Sequence, residues 1–264
     1  MIKKLLYGIA MLLVVASVHA VELPTLLSGK TLHYKFNKDA GLGETTRVVH
    51  DYSLLGNDAS MESSGSSPTW SSTGGKFGDG AFEFDGSNDK IIVPDADSLS
   101  PAATNAYTIA FWIKFNRTKF VGEGNTKSYI NFLGKADAGQ NEFMFRYFNS
   151  SNPDNRPNRI SFYMFNPDGG LGAGSYVQEP IRAGEWMHLV GVYDGRNVQL
   201  WKNGVLKDSD PVSEYNIRTQ NTNAPLRIGT VTGQKYFRGS FDEVKVYNRA
   251  LSRSEIEALY SERL

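Results

Sequence analysis

The segment 107–115 limits how this chain can fold more than any other. Apolar side chains occupy every second position, and the positions between them include Ala110 and Trp112. Alternation with period two is typical of a β-strand, and apolar residues on both faces indicate a strand covered on both sides. A fold that covers a central strand twice needs stacked layers. The residues on one face are Tyr107, Ile109, Phe111, Ile113 and Phe115.

Short apolar runs separated by turn residues recur along the rest of the chain. The dipeptides Asp85-Gly86, Asp194-Gly195 and Asn203-Gly204 adopt positive φ at low cost and mark tight hairpin turns. Because no long helical pattern lies between the runs, the sequence predicts an all-β, two-sheet antiparallel sandwich. The other candidate strands are 31–36, 80–85, 90–93, 142–148, 159–165, 185–193, 197–201, 226–229 and 240–247.

A short helix is predicted at the C-terminus. Ser252 is a good N-cap residue, and Glu255 follows three positions later, which is the spacing of a capping box. Ile256, Leu259 and Tyr260 then form an apolar stripe at helical spacing. We expect this helix to pack against the sandwich.

The first 20 residues have the pattern of a cleaved signal peptide. Lys3 and Lys4 precede an apolar stretch over 5–18, and Ala20 completes a small-x-small cleavage pattern. The stretch is shorter than the ~20 residues of a membrane span, and no second apolar run follows. We therefore expect a secreted or periplasmic protein, cut after Ala20, whose residues 21–264 form a single domain without a membrane span.

The composition argues against several classes of protein. The chain has 28 basic and 28 acidic residues, so it lacks the positive excess by which nucleic-acid-binding proteins displace counterions. It contains no cysteine, which excludes disulfides, thiolate nucleophiles and cysteine-ligated zinc. The 26 glycines and the 12% aromatic content fit a protein of many turns and strands.

Several longer motifs follow one another in a fixed order. They read GKFG at 75–78, FEFDGSND at 82–89, TIAFWIK at 108–114, GEWMHLV at 184–190, LWKNG at 200–204 and GSFDEVKVYNRALS at 239–252. This set resembles the laminin-G-like domains of the concanavalin A-like lectin/glucanase superfamily. The resemblance implies a jelly roll of two curved antiparallel sheets, with sugars bound on the concave face or at rim loops. Function stays open, because this fold carries lectins, glycanases, lyases and adhesion modules.

The same resemblance implies a structural Ca²⁺ between an early loop and the last strand. The loop 50–57 is similar to the family's loop, and Asp51 and Asn57 would supply side-chain oxygens, which Ca²⁺ prefers. Asp242 matches the family's aspartate in the last motif. Leu55 departs from the pattern, since glycine is usual there. The alternative is that Asp51 and Asn57 only cap turns.

No catalytic residue is assigned. Glu83 and Asp85 lie two apart on a strand and share a face, as glycosidase carboxylates do, but Asn88 stands where a related catalytic pattern has glutamate. His188 lies in an apolar strand and is interpreted as a core histidine. Arg146 and Arg159 lie near Tyr147 and Tyr163, in strands that could line a lyase-like face, and the lyase signatures are absent.

Three functions remain in view. The leading one is an exported carbohydrate- or glycoconjugate-binding module whose partner is a polysaccharide, the second is an adhesion protein that binds a cell-surface protein, and the third is a polysaccharide lyase or glycoside hydrolase. Sugars stack their C–H faces on aromatic rings and bond through their hydroxyls to polar side chains. Candidate contacts are the loop 149–158 and the aromatics Tyr176, Tyr236 and Phe237. Trp112, Trp186 and Trp201 are expected in the core.

Overall fold

A computed structural model describes residues 24–61, 65–122, 129–166 and 172–261. The predicted signal peptide, residues 1–20, lies outside the described residues. The helices are α1 (Pro24–Leu27) and α2 (Arg253–Ser261). The strands are β1 (Lys30–Tyr34), β2 (Val48–Val49), β3 (Ala59–Ser60), β4 (Thr69–Ser71), β5 (Ala81–Asp85), β6 (Ile91–Val93), β7 (Tyr107–Phe115), β8 (Tyr129–Asp137), β9 (Gln140–Phe148), β10 (Arg159–Met164), β11 (Ala173–Gln178), β12 (Trp186–Tyr193), β13 (Asn197–Lys202), β14 (Val205–Pro211), β15 (Leu226–Ile228) and β16 (Arg238–Tyr247).

The described strands form two antiparallel sheets of eight. The first sheet has the order β14-β13-β12-β7-β16-β5-β4, with β1 also paired to β16. The second has the order β11-β10-β9-β8-β15-β6-β3-β2. The predicted two-sheet antiparallel sandwich is confirmed, and strands distant in sequence, such as β7 and β16, are neighbours in it.

The strand β7 lies inside the first sheet, as its sequence predicts. It pairs with β12 on one side and β16 on the other, and every residue of it except Lys114 is buried. Its inward face meets the second sheet, where the ring centroids of Phe111 and Phe145 are 4.9 Å apart. The outward face of β7 includes Trp112, of which only 3% is exposed. Burial on both faces explains why the segment is apolar throughout.

Local sequence signals fix several of the connections. The β13–β14 hairpin turns at Asn203 and Gly204, whose φ angles are 51° and 75°. Two successive positive φ values match the right-handed twist of the strands that flank a tight hairpin. This turn confirms the hairpin predicted from the Asn-Gly dipeptide.

The helix α2 covers the outer face of the first sheet. The predicted capping box forms, since the Ser252 amide donates to Glu255 Oε2 at 2.8 Å and the Glu255 amide to Ser252 Oγ at 3.4 Å. Tyr260 stacks on Trp112 with ring centroids 5.6 Å apart. The apolar residues between α2 and the sheet include Leu26, Ala110, Val190, Trp201, Tyr247, Leu251, Ile256 and Leu259.

Two aromatic residues differ from the sequence-based expectation. Phe237, predicted as a loop aromatic, is fully buried and packs 5.0 Å from Phe241 between the sheets. It precedes β16 and turns inward, which a local pattern does not reveal. Trp186, expected in the core, is half-buried at the start of β12, with Lys114 Nζ 5.0 Å from its ring centroid. Among the described residues, no helix is both long and apolar enough to cross a bilayer.

Candidate functional site

The two sheets differ in what covers their outer faces. The first is covered by α2, whereas the second carries aromatic and arginine side chains there. The strand β9 shows the alternation, since Phe143 and Phe145 face the core while Arg146 projects to the other side. Side chains of successive strand residues point to opposite faces, so one register sets which residues of β8 to β11 reach the surface. This outer face contains the strongest candidate site.

A cleft of about 430 Å³ lies on this face, where β9, β10 and β11 approach β14. That volume falls within the range of ligand sites, about 300–1,000 Å³. Its walls combine flat aromatic rings with polar and charged groups. The residues that matter for its chemistry are Arg146, Arg156, Arg159, Tyr163, Tyr176 and Asp210.

The floor of the cleft is the ring of Tyr163. Tyr163 on β10 is paired with Gly174 on β11. A Cβ atom at position 174 would overlap Cδ1 of the Tyr163 ring, so the ring lies directly over the glycine. Only a residue without a side chain leaves room for the ring there. The strand pair therefore presents an aromatic surface that any larger residue at 174 would displace.

Two arginines are held in place by neutral partners. The guanidinium of Arg146 lies 4.3 Å from the ring centroid of Tyr129 and 5.0 Å from that of Tyr163, and its Nε donates to Asn131 Oδ1 at 2.9 Å. Cation–π contacts of this kind hold a guanidinium without neutralising it.

On the neighbouring strands, Arg159 is oriented in a similar way. Its guanidinium lies 3.9 Å from the Tyr176 ring centroid, and its Nε and Nη2 donate to Gln178 Oε1 at 3.0 and 2.8 Å. Tyr176 was a sequence-based candidate and is 42% exposed. The structure places it on β11 rather than in a loop.

The loop 149–158 contributes one of the cleft's arginines, and its asparagine side chains mainly stabilise the conformation of the loop itself. Asn149 and Asn152 are buried, and their side-chain oxygens accept hydrogen bonds from nearby amides. Asn152 Oδ1 also accepts from the amide of Arg156 at 3.2 Å, which fixes the turn that delivers Arg156 to the cleft. The predicted polar cluster is thus mostly a set of Asx turns.

Sequence reasoning named only part of this site. It singled out Arg146, Arg159 and Tyr163, but Tyr147, named with them, points into the core and is fully buried. It missed Asp210, which belongs to no local motif, and it interpreted the glycine-rich run that ends at Gly174 as a flexible loop, whereas Gly174 lies on β11. The signal that could have found the face is the inward register of Phe143, Phe145 and Tyr147, which assigns the alternate residues to the outside.

Asp51 and Asn57, two of the predicted Ca²⁺ ligands, form hydrogen bonds within their own loop and with β1. Asp51 Oδ1 accepts hydrogen bonds from the amides of His33 and Ser53 at 2.9 and 2.8 Å. Its Oδ2 accepts from Ser53 Oγ at 2.6 Å and from the amide of Asn57 at 2.9 Å. Both carboxylate oxygens are therefore occupied by donors, as in the turn-capping alternative. Asn57 Nδ2 donates to the carbonyl of Thr31 at 2.7 Å, which ties this loop to β1.

Asp242 makes its contacts with another segment. Its Oδ2 accepts from the amide of Lys76 at 2.8 Å, while its buried Oδ1 has no hydrogen-bond partner among the described residues. Burial, followed by the negative charges of Glu243 and Asp79, raises the pKa of Asp242 to about 8. Burial raises the pKa of a carboxyl group because the low-dielectric interior disfavours its charged form.

A backbone oxygen lies close to Asp242, and a further buried oxygen belongs to the neighbouring segment. A Cβ atom at Gly75 would meet Gly80 O and Asp242 Oδ2, and one at Gly80 would come within 3.3 Å of Asn37 Cα. Asn37 Oδ1 is also buried without a partner in the described part of the chain. Within the described residues, no three His, Cys, Asp or Glu side chains converge as a metal site. A cation here would therefore rely on amide and backbone oxygens as well as carboxylates.

Two of the residues considered for catalysis, Asp85 and His188, have structural roles. Asp85 Oδ1 accepts from the amide of Ser87 at 2.7 Å, so Asp85 caps the turn after β5. His188 is buried and packs 5.1 Å from Trp112, and burial lowers its pKa to about 3. A histidine that stays neutral at physiological pH fits the interpretation of a core residue.

Comparisons with known proteins identify a family and several solved structures that are similar to this chain. The family model described as the concanavalin A-like lectin/glucanases superfamily, a laminin-G-type model, matches residues 85–257. No curated protein matches the chain significantly in sequence. One similar solved structure is domain 4 of AbnA, an extracellular GH43 arabinanase from Geobacillus stearothermophilus, in complex with arabinotriose. It has a TM-score of 0.63 and 20% identity, covering 88% of this chain and 98% of that domain.

Two botulinum neurotoxin structures are similar to a comparable degree. The serotype D ligand-binding domain in complex with N-acetylneuraminic acid has a TM-score of 0.63 and 13% identity, covering 89% of this chain and 51% of that one. The binding domain of neurotoxin DC in complex with rat synaptotagmin II has a TM-score of 0.63, 13% identity and the same coverages. At these identities the likeness extends to the fold alone.

Proposed function

The chain belongs to the concanavalin A-like lectin/glucanase superfamily, and from that premise we propose that it is a carbohydrate- or glycoconjugate-binding module. The ligand would lie in the cleft on the outer face of the second sheet. The observation that carries this proposal is the Tyr163 ring laid over Gly174 and flanked by guanidinium groups. A flat ring accepts the C–H face of a sugar, and N–H donors around it bond to hydroxyls.

Structural relatives support the same class of ligand. The arabinanase domain was solved with arabinotriose and the serotype D toxin domain with N-acetylneuraminic acid. Both have this fold, and both hold a sugar. The neurotoxin DC domain, solved with synaptotagmin II, indicates that the fold also accepts proteins, so a protein partner is the outcome to consider if no glycan binds.

The binding proposal is tested with an array of neutral and acidic glycans, followed by calorimetry on the hits. Tyr163→Ala removes the stacking surface, and we expect it to weaken binding about tenfold, which corresponds to about 1.4 kcal/mol. Tyr236→Ala is the matched control, since the structure places Tyr236, a candidate from the sequence, outside the cleft as a partly exposed tyrosine bonded to the Gly233 carbonyl. Equal affinity of the two variants, or the absence of any glycan ligand, would contradict the proposal.

Export remains part of the proposal. The support is the basic, apolar and small-residue pattern of residues 1–20. Expression of the full chain in a bacterium, followed by fractionation and N-terminal sequencing, tests it. We expect the recovered protein to begin at Val21 and to lie outside the cytoplasm.

We also propose a structural Ca²⁺, held by Asp242 and Asn37 with backbone oxygens of the segment 75–80. Support comes from the buried side-chain oxygens of Asp242 and Asn37, which have no hydrogen-bond partner among the described residues, and from the nearby charge of Asp79. Ca²⁺ takes six to eight oxygen ligands and accepts backbone carbonyls. This set keeps Asp242 from the predicted ligands. It replaces Asp51, whose carboxylate oxygens accept hydrogen bonds from four donors, and Asn57, whose side-chain amide donates to Thr31.

Thermal unfolding distinguishes the two ligand sets. A bound ion stabilises the folded state by mass action, so Ca²⁺ should raise the melting temperature and EDTA should lower it. Asn37→Ala and Asp242→Asn should abolish this response. In Asp51→Asn the response should persist on a less stable protein. A response lost in Asp51→Asn but retained in Asn37→Ala would restore the original set.

A further inference from the structure

We infer that the cleft selects an anionic glycan, in which carboxylate or sulfate groups on the sugar chain pair with Arg146, Arg156 and Arg159. The inference rests on the proposed function and specifies its ligand class. Three guanidinium groups line the cleft, whereas Asp210 is the single carboxylate among its described lining residues. Among the lining residues, positive side chains therefore outnumber the one negative side chain, in a chain whose formal net charge is zero. Two further carboxylates, Asp208 and Glu214, lie near Asp210 and confine the negative charge to that wall of the cleft.

The three arginines differ from other arginines of this protein in their partners. In the part of the chain that the structure describes, no carboxylate forms an ion pair with any of them. Arginines elsewhere do form such pairs, for example Arg227 with Asp137 at 2.9 Å and Arg249 with Glu255 at 2.8 Å. A cluster of like charges held close together without counterions is costly unless a ligand supplies the opposite charge.

The contacts of these arginines orient the guanidinium groups without neutralising their charge. Arg146 and Arg159 bond to the neutral oxygens of Asn131 and Gln178, and Arg156 lies 5.4 Å from the ring centroid of Phe148. Ordering a guanidinium before the ligand arrives reduces the entropy lost on binding. Neutral partners thus orient the groups that a bound anion would engage.

The remaining donors suit carboxylate or sulfate oxygens. Arg159 uses Nε and Nη2 on Gln178, while Nη1 donates to no described residue. Arg146 likewise uses Nε and Nη2. Charge-assisted bonds from arginine to an oxyanion are roughly twice as strong as neutral ones. A sugar ring stacked on Tyr163 would place its acidic substituent near these N–H donors.

The other lining residues fit a sugar chain rather than an isolated anion. Tyr163 supplies the stacking surface, and Tyr215, 42% exposed, stands at the rim. Asp210 accepts a hydrogen bond from Ser175 Oγ at 3.2 Å and lies on β14. A carboxylate on this wall favours hydroxyl donors. A sugar unit in the cleft would therefore direct its acidic group to the arginines and its hydroxyl groups to Asp210.

The test compares polymers that differ only in charge. Affinity is measured for polygalacturonate against its fully methyl-esterified form, and for dextran sulfate against dextran. We expect at least tenfold tighter binding to the charged member of one pair, and a loss of affinity as NaCl rises. Preference in the first pair assigns carboxylate, and preference in the second assigns sulfate. An oligothymidylate bound as tightly as either charged glycan would overturn the inference.

Variants locate the effect. Arg156→Gln and Arg159→Gln should each weaken binding of the charged polymer about tenfold, the scale of a hydrogen bond to a charged group. Arg182→Gln makes the same charge change at a side chain that is 81% exposed and outside the cleft, and it should bind like the parent protein. Equal losses in all three would mean that only the net charge matters, which overturns the inference.

The outcomes separate the inference from the proposed function. If neutral and charged polymers bind equally and Tyr163→Ala weakens both, the cleft is a glycan site without charge selection, and only the inference fails. If no polymer of either kind binds, the proposed function fails as well.

Discussion

At the scale of single residues, buried charge is the feature with the sharpest consequences. Lys135 is fully buried, and its Nζ lies 2.6 Å from Glu142 Oε1 and 2.7 Å from Asp95 Oδ1. Glu142 also accepts from the amide and hydroxyl of Thr222, each at 2.8 Å. A buried pair adds little net stability compared with apolar packing, but the removal of one member leaves an uncompensated charge.

We predict that Lys135→Met lowers the free energy of unfolding by about 3–5 kcal/mol, because Glu142 remains buried without its cation. Adding Glu142→Gln should restore part of this loss. Lys202→Met is the control, since its partner Glu179 is 35% exposed in the side chain and surface pairs contribute at most about 1 kcal/mol. Urea unfolding measures all three. Equal effects at the two lysines would contradict the prediction.

The residue at position 174 controls the shape of the cleft. We predict that Gly174→Ala reduces glycan affinity by about tenfold or more, because the new methyl group displaces the Tyr163 ring that the ligand stacks on. Gly41→Ala is a matched control, since a Cβ there meets only Asp39 Oδ1 at 3.1 Å. Calorimetry measures binding. Unchanged affinity in Gly174→Ala would show that the ring is not the floor of the site.

At the scale of elements, α2 depends on its first turn. Arg249 and the capping bonds of Ser252 hold the Glu255 carboxylate at the N-terminus of the helix. There the helix dipole also favours a negative charge. The helix is only nine residues long, so packing and capping together maintain it over the first sheet.

The pH dependence of this cap can be predicted with its sign. The hydrogen bond from Arg249, followed by the bonds from Ser252, lowers the pKa of Glu255 from 4.5 to about 2. Its contribution to stability is therefore full above about pH 4.5 and is lost as the pH falls toward 2. Glu255→Gln should flatten this part of the stability curve, whereas Glu257→Gln, on the exposed side of α2, should not.

Chemical denaturation between pH 2 and pH 7 checks the prediction. Besides flattening the curve, Glu255→Gln should cost about 1 kcal/mol at neutral pH, the usual scale of a lost cap. If the slopes of the parent protein and Glu255→Gln coincide below pH 4.5, the carboxylate does not stabilise the helix in its ionised form.

At the scale of the whole molecule, the two ends of the described chain meet. The strand β1 pairs with β16, with Leu32 opposite Val246. The central core draws on strands of both sheets in one continuous cluster. Contacts between segments so far apart in sequence form together or not at all, which favours cooperative unfolding.

We predict a single unfolding transition for residues 21–264. Far-ultraviolet circular dichroism, which follows the sheets, and tryptophan fluorescence, which follows the buried Trp112 and Trp201, should give coincident curves in guanidinium chloride. Addition of Ca²⁺ should move the midpoint and leave the slope unchanged, because the area exposed on unfolding stays the same. Two separated transitions would divide the chain into more than one domain.

The sequence by itself determined the local elements of this protein. The alternation over 107–115, the Asn203-Gly204 turn and the Ser252–Glu255 cap each depend on residues only a few positions apart. Their geometry is set by backbone sterics and short-range hydrogen bonds, which is why β7, the hairpin and α2 lie where the sequence predicted them. The strands β8 and β11 were not predicted, because their partners are needed to define them. The ordered motifs extended this to the two-sheet fold.

Only the tertiary structure decided what covers each sheet and which distant residues meet. Tyr163 reaches Gly174 through strand register, Arg156 joins Arg159 at the cleft through a turn, and Asp242 lies beside the segment 75–80. A carboxylate or a tyrosine has the same local pattern whether it faces a ligand or caps a turn. Long-range pairing places these groups together, and burial of the whole core stabilises that pairing.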